Sequence, residues 1–419
     1  MIGYRCVQGG GGSGADYSYT TVAGIEPYVV DMTNAYRDNT ALTVENIVVG
    51  NKVTNCNAML YNALKWNGSL TLGSNVTNCV SMLAYCYNFN QPVTIPDSVV
   101  RCDNMFYNAR NFNSPVTIGN NVLNCYRMLY GCTNFIHPLV IPDSVTVCVG
   151  VITNTKCPSI TLGNNVHCDN LFMNTVNITA NVIISDNTTN CSYMFYNAQG
   201  FNSYVTIGAN VTNASNMFGS TSAYNQPTVF PNSVTGFVNT FRYATALNSP
   251  VTISENATTT YGMFMYAHNF NQPVTIPNSV TTAGSMFYGA NRFNSPVIIG
   301  DNVKSCSYLF GNATNYAQPT TFPSNVTDVS GAFANIAGVN DIYFEKNEYG
   351  SITTEGMLYN KLNTVRTNVH FNPILNNLFN VTNAKSIMGA TVTWTDMEDG
   401  NGFYNEVRNI YCYNNYVVE

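Results

Sequence analysis

Charge is the scarcest property of this sequence: Asp, Glu, Lys and Arg supply 9% of its 419 residues, against about 25% in an ordinary soluble domain. Asn, Thr and Ser stand where the charges would be. The net charge of −6 is small for the length and no basic stripe interrupts it, so nucleic acid is not an expected partner. Long apolar runs are missing too. Asn, Pro and Gly cut all of them far short of the ~20 residues that a membrane-spanning helix needs, and no membrane insertion is expected. The opening residues, Met1-Ile2-Gly3-Tyr4-Arg5-Cys6, hold no apolar leader core. Export by a signal peptide is therefore not expected, and release by lysis as part of a virus particle fits better.

Catalytic signatures are also lacking. Gly-x-Ser-x-Gly, the phosphate-binding loop and His-Glu-x-x-His do not occur. His137, His167, His268 and His370 fall at unrelated positions. Acids are too few for the paired carboxylates of polysaccharide cleavage. Neither an enzyme activity nor a cofactor is expected. The best acidic cluster, Asp396-Met397-Glu398-Asp399-Gly400-Asn401-Gly402, has Gly in the fifth position, where a calcium loop places a ligand. A solvated turn is the better reading there than a calcium site.

What the sequence does have is repetition, and repeats decide the architecture before anything else. Val53, Val76, Val99, Val122 and Val145 begin units 23 residues apart. Val166 and Thr188 arrive early, and the spacing resumes at Val211, Val234, Ala257, Val280, Val303 and Val326. Degenerate units precede these from Val30, with a strand expected at Val48-Val49-Gly50, and follow from Ile352. A good unit reads Asn-Phe-Asn-Gln-Pro-Val-Thr-Ile-Pro-Asp-Ser-Val-x-x-Cys-x-x-Met-Phe-Tyr-Asn-Ala over 88–109. Val93-Thr94-Ile95 alternates as a short half-buried strand should, and Pro92 and Pro96 confine it. Met105-Phe106 and Ala109 bring a second apolar ridge, expected as one helical or 3₁₀ turn.

Columns recur with the period. Phe89, Phe112, Phe135, Phe201, Phe270 and Phe293 form one, with Trp66 and Tyr316 standing in; Met59, Met82, Met105, Met128, Met194, Met217, Met263 and Met286 form another. Asn67, Asn90, Asn113, Asn202, Asn225, Asn248, Asn271 and Asn294 form a third, suited to bonding to its own image or to turn backbone. Cys56, Cys79, Cys102, Cys125, Cys148, Cys168, Cys191 and Cys306 share one position, which Ala214, Ala283 or Val329 fill elsewhere. Same-facing thiols on stacked coils have poor disulfide geometry. A reduced, buried thiol ladder is expected, in preference to a metal ladder. A longer period of 46 residues also runs through part of the chain: Gln-Pro followed by a Pro turn alternates with Ser-Pro followed by a Gly or Ser turn.

The run Pro-Val-Thr-Ile-Pro-Asp-Ser-Val, then Cys, then Met-Phe, then Ala or Cys (Cys86, Cys132) resembles the 23-residue leucine-rich repeats of the bacterial surface-antigen (BspA-like) class over about residues 30–373. That resemblance implies stacked coils with a parallel sheet along one face, in proteins that serve as bacterial adhesins or belong to phages and mobile elements. The sequence departs from the class in having almost no Leu in its strands.

Together these readings predict a repeat solenoid, leucine-rich-repeat-like, with a short parallel β-strand per 23-residue coil and about fifteen coils over 30–373. Residues 1–29 form an N-terminal tail whose Gly9–Gly14 stretch is a flexible tether, ending in either a docking peptide or a plain tail. Residues 374–419 form a C-terminal cap, with a short helix expected at Leu375, Leu378 and Phe379 and strands at 391–395 and 410–413. Two stripes are candidates for binding: Tyr61, Tyr107, Tyr130, Tyr196 and Tyr288, and Thr94, Thr117, Thr206, Thr252 and Thr275, with Thr71 beside them. Tyr offers a rigid face and a polar tip to sugars or proteins. The plainer alternatives are rings that cover the neighbouring coil and Thr as an ordinary strand residue. The expected function is a non-enzymatic fibre or spike of a phage virion, tethered to other virion proteins by its tail, that contacts a host-surface glycan or protein. A bacterial surface or secreted adhesin is the alternative, and a homo-oligomer is compatible with both.

Overall fold

The computed structural model describes residues 30–43, 45–164, 167–176, 178–345, 352–359, 366–371, 395–396, 402–405 and 410–413. The chain divides into two compact units, Met1–Asn165 and Val166–Glu419. The tail, the helix expected at Leu375–Phe379 and most of the acidic cluster at 396–402 lie outside the described residues.

The first unit carries β1 (Asn46–Val48), β2 (Ser69–Thr71), β3 (Val93–Thr94), β4 (Val116–Thr117), β5 (Leu139–Val140) and β6 (Ile160–Thr161). They pair in parallel, β1 with β2, β3 with β4 and β5 with β6. β1 begins two residues before the strand expected at Val48. Parallel register puts Val93 beside Val116, one 23-residue coil away. The second unit repeats the scheme with β7 (Val182–Ile183), β8 (Val205–Thr206), β9 (Thr228–Val229), β10 (Val251–Thr252), β11 (Val274–Thr275) and β12 (Val297–Ile298), again in pairs. A six-stranded sheet then joins β13 (Thr320–Phe322), β14 (Asp341–Phe344) and β15 (Thr367–Phe371) to β16 (Thr395–Asp396), β17 (Gly402–Asn405) and β18 (Ile410–Tyr413), in the order β13-β14-β15-β18-β17-β16. A second ladder of single parallel bridges links Asn55, Asn78, Arg101 and Asn124 in the first unit and Asn190, Asn213, Gly236 and Thr259 in the second.

The Met-Phe ridge is not the helical or 3₁₀ turn that the sequence suggests: no helix occurs among the described residues. In the coil around Met82 the amides of Met82, Ala84 and Cys86 donate to the carbonyls three residues back, at 3.2, 3.2 and 3.3 Å. The alternate amides of Ser81, Leu83 and Tyr85 donate to Asp103, Met105 and Tyr107 of the next coil, each at 2.8 Å. A helix would keep all these N–H groups within its own coil; this arrangement sends every second one to a neighbour. It requires two left-handed residues per coil, such as Asn104 (φ 54°) and Asn108 (φ 55°), at the third position of turns with type II character. Asn tolerates that conformation better than most residues, and it is the residue type found most often at these positions.

Inside each unit the columns stack. Phe112 is fully buried, with its ring centroid 5.8 Å from Phe89, 5.9 Å from Phe135 and 4.4 Å from Phe106. Phe270, Phe293 and Tyr316 stack in the same way in the second unit. Where Tyr replaces Phe, a Thr replaces the inward strand Val to receive its hydroxyl: Tyr224 with Thr228 and Tyr316 with Thr320, both at 2.8 Å. The Cys column is buried, and none of its thiols is in a disulfide. Burial pushes the Cys56, Cys86 and Cys157 thiols up to about 12, so they are held as neutral apolar groups.

The Asn column resolves in favour of backbone. The Oδ1 of Asn67 accepts from the Asn90 amide at 2.7 Å, and that of Asn90 accepts from Asn113 at 2.7 Å. Asn225 and Asn248 continue this in the second unit. Gln and Ser, which alternate in the following position, do one job. Each donates to the Asn carbonyl of the preceding coil, Gln226 Nε2 to Asn202 at 3.0 Å and Ser249 Oγ to Asn225 at 2.9 Å.

The 46-residue period acquires a physical account here. Each strand pair consists of a first coil with a Pro, Ser or Gly turn and a second coil whose turn backbone presses onto it. A Cβ at Gly300 would lie 2.5 Å from the Pro277 carbonyl oxygen, and one at Gly73 would lie 2.6 Å from the Gly50 oxygen. Gly119 meets Pro96, and Gly208 meets Ser185, in the same manner. Ser254, opposite Pro231, is the exception; it is buried, and its hydroxyl donates to the Asn232 carbonyl at 3.2 Å.

Candidate binding faces

The strand face is built by alternation. In β3 and β4, Val93 and Val116 point toward the core and Thr94 and Thr117 point out. Thr206, Thr252 and Thr275 are exposed in β8, β10 and β11, as are Thr71 and Thr161. The same outward position holds residues the Thr stripe omitted: Val140 is 62% exposed in the first unit, and Ile183, Val229 and Ile298 are 71%, 67% and 65% exposed in the second. The period is the signal that marks them in the sequence, since each falls 23 residues from a Thr of the stripe. Exposed prolines, Pro92, Pro115 and Pro138 or Pro227, Pro250, Pro273 and Pro296, form a parallel rank two residues upstream, about 6.6 Å away at ~3.3 Å per residue. Each unit thus shows solvent an uncharged surface of Pro, Thr and branched aliphatic side chains. Isolated exposed apolar residues need no explanation, whereas contiguous ones mark contact surfaces.

The Tyr stripe behaves differently. Tyr61, Tyr107, Tyr130, Tyr196 and Tyr288 are all half-buried. Tyr107 and Tyr130 stack at 5.1 Å and 10°, so much of each face is spent on the adjacent coil. Tyr85, Tyr243, Tyr266 and Tyr308 join the same ridges from the left-handed positions. Sequence reasoning missed them because it took that segment for a helical turn. Several rings lie across a glycine of the next coil: a Cβ at Gly289 would be 2.5 Å from the Tyr266 ring, and one at Gly311 would be 3.0 Å from Tyr288. The Tyr107 and Tyr266 hydroxyls are shifted up, first by burial and then by neighbouring Tyr side chains.

The histidines serve locally. A His137 ring nitrogen lies 2.9 Å from the Asn113 carbonyl, and one of His268 lies 3.0 Å from that of Gly289. His370 stacks on Tyr343 at 4.6 Å and lies 3.4 Å from Asp341. Among the described residues no group of three or more His, Cys, Asp or Glu side chains is placed to hold a metal ion, and no helix is long and apolar enough to cross a membrane.

The family described as "Mycoplasma protein of unknown function, DUF285" matches residues 30–141, 166–276, 208–298, 231–322 and 254–345. The chain belongs to this family. The matches that start at 208, 231 and 254 step by one coil length, as stacked repeats require. Membership bears out the BspA-like resemblance of the repeats. The chain is also similar to three solved structures. The pneumococcal vaccine antigen PcpA is 11% identical over 83% of this chain and 81% of that one, with a TM-score of 0.40. A leucine rich cell surface protein from Faecalibacterium prausnitzii is 16% identical over 79% and 86%, with a TM-score of 0.37. A leucine-rich repeat protein from Bacteroides ovatus is 15% identical over 71% and 89%, with a TM-score of 0.42. With TM-scores below 0.5, these likenesses add nothing to the coil geometry above. A sequence search of curated proteins finds no match.

Proposed function

We propose that this chain is a non-enzymatic attachment scaffold, displayed at a surface, whose uncharged strand face contacts a host-surface glycan or protein. The observation that carries the reading is an exposed rank in each unit that recurs with the coils, Thr94, Thr117 and Val140 in the first and Ile183, Val229, Thr252 and Ile298 in the second. In a chain that fills its core with Phe, Met and Cys columns, these side chains lie outside that core. They present a repeated surface with low side-chain entropy to lose on contact, because branched residues are stiff at χ1. The carrier we favour is a phage virion, with the chain as a tail or head fibre or a capsid-attached spike joined to other virion proteins through its N-terminal tail. A family described from Mycoplasma favours the second reading, an adhesin on a bacterial surface.

Replacing Thr94, Thr117, Thr252 and Thr275 together by Lys tests the face. All four are exposed, so stability is expected to move by no more than about 0.5 kcal/mol per site. Adherence of the purified chain to host cells is expected to fall by about tenfold or more, as when charge is forced into an interface core. Unchanged adherence would refute the assignment. Detection of the chain by mass spectrometry in purified particles, or on surface-shaved cells, separates the two carriers.

A further inference from the structure

We propose that the Tyr–Arg ridge of the first unit binds a carboxylated glycan chain. The proposal rests on the reading above in taking the chain as a binding scaffold, and adds a ligand class on the turn side of the coils. The ridge is continuous from ring to ring. The Arg37 guanidinium lies 4.4 Å from the centre of Tyr61. Tyr61 meets Tyr85 at 5.4 Å, Tyr85 meets Tyr107 at 5.6 Å, and Tyr107 meets Tyr130 at 5.1 Å. Arg127 stands 4.9 Å from Tyr126 and 5.4 Å from Tyr130. Arg110 stands 5.4 Å from Tyr87, itself 6.5 Å from Tyr85.

Three exposed arginines are thus parked on one set of rings in a chain that has very few charges. Arg37 is 3.5 Å from the exposed Asp38 carboxylate. Arg110 and Arg127 have no carboxylate partner among the described residues. A surface cation–π contact is weaker than a bidentate guanidinium–carboxylate pair. The ring therefore limits where the guanidinium wanders without preventing it from taking an anion. Tyr107 and Tyr130 are 5.1 Å apart and within 10° of parallel, and Tyr61, Tyr85 and Tyr107 meet edge to face at 63°. Each ring thus packs on the next, with no open slot between neighbours of the kind in which single-strand binders stack a nucleobase. What the packed rings offer a ligand is mainly edges and phenol hydroxyls, suited to sugar hydroxyls. From the coil of Arg37 to that of Tyr130 the ridge covers four coil steps, ~19 Å at ~4.8 Å per step, a length that calls for an oligosaccharide. In the comparable ridge of the second unit, Tyr243, Tyr266, Tyr288 and Tyr308, one guanidinium among the described residues lies over a ring, that of Arg242, 5.0 Å from Tyr243.

The test uses the full chain, with Arg37→Gln, Arg110→Gln and Arg127→Asn combined; Asn suits the left-handed φ of 51° at Arg127. Calorimetric titration with hyaluronate oligosaccharides is expected to show binding that the triple variant weakens by about tenfold or more, at unchanged near-ultraviolet circular dichroism. Arg242→Gln is expected to leave it within about twofold, and neutral dextran is expected not to bind. Absence of hyaluronate binding by the wild-type chain, or equal binding by the triple variant, overturns the proposal. Binding of heparin in place of hyaluronate overturns the carboxylate assignment. The strand-face Lys variant separates the two readings: if it loses adherence while the ridge variant keeps its hyaluronate affinity, only the ridge proposal fails.

Discussion

Phe112→Ala is expected to cost about 3–5 kcal/mol, the range for emptying a fully buried aromatic site. The ring is 0% exposed and sits between Phe89, Phe135 and Phe106. Three stacked partners lose contact at once, and the coils cannot close the gap without giving up the hydrogen bonds that set their spacing. In a stack where each coil touches mainly its neighbours, the loss stays local. Native-state hydrogen exchange should therefore show protection falling first at the amides that tie this coil to the next, such as Phe106 and Asn108. A change below about 1 kcal/mol would mean that the ring column is not a shared interior.

Gly300→Ala carries the second large effect, about 1–3 kcal/mol from overpacking. The new Cβ would meet the Pro277 oxygen at 2.5 Å, its carbonyl carbon at 2.6 Å and the Ile276 oxygen at 2.7 Å. All three are backbone atoms, and Ile276 is tied to Ile298 by a 2.8 Å hydrogen bond, so the strand pair has to part for the methyl to fit. Gly236→Ala is the control. There the nearest atoms are the ends of the Asn213 and Ser215 side chains at 3.6 Å, an ordinary contact, and the cost is expected to stay within about 0.5 kcal/mol. Equal effects at the two sites, measured by urea unfolding, would show that the close approach of paired coils is not what selects glycine.

Much of this architecture could be read from the residues because a one-dimensional stack writes its period directly into the chain. The Val, Phe, Met and Cys columns mark what is buried, since a side chain that repeats every coil meets its own image. What was not legible concerns backbone. The left-handed residues around Met-Phe are Asn, Ser, Tyr, Ala, Arg or Gly in different coils, so no single residue type announces them, and the apolar spacing alone reads as a helical turn. The alternation of Pro and Gly turns could be seen in the letters but not explained from them. Its cause is a contact between two coils, which no single unit contains. Of the candidate faces, the Thr rank followed from strand alternation alone. The same alternation put Val140, Ile183, Val229 and Ile298 in that rank, yet choosing by chemistry left them out. The Tyr rings are half-buried, as the plainer reading of rings that cover the neighbouring coil expects.

The central claim is that each coil completes its backbone hydrogen bonding with the next coil. A scalar coupling across the hydrogen bond, measured by NMR from the Phe106 nitrogen, reads this directly. The Phe106 amide donates to the Met128 carbonyl at 2.8 Å, so a correlation between the Phe106 nitrogen and the Met128 carbonyl carbon is expected. A correlation to the Cys102 carbonyl, four residues back as in a helix, would contradict the stacked-coil account.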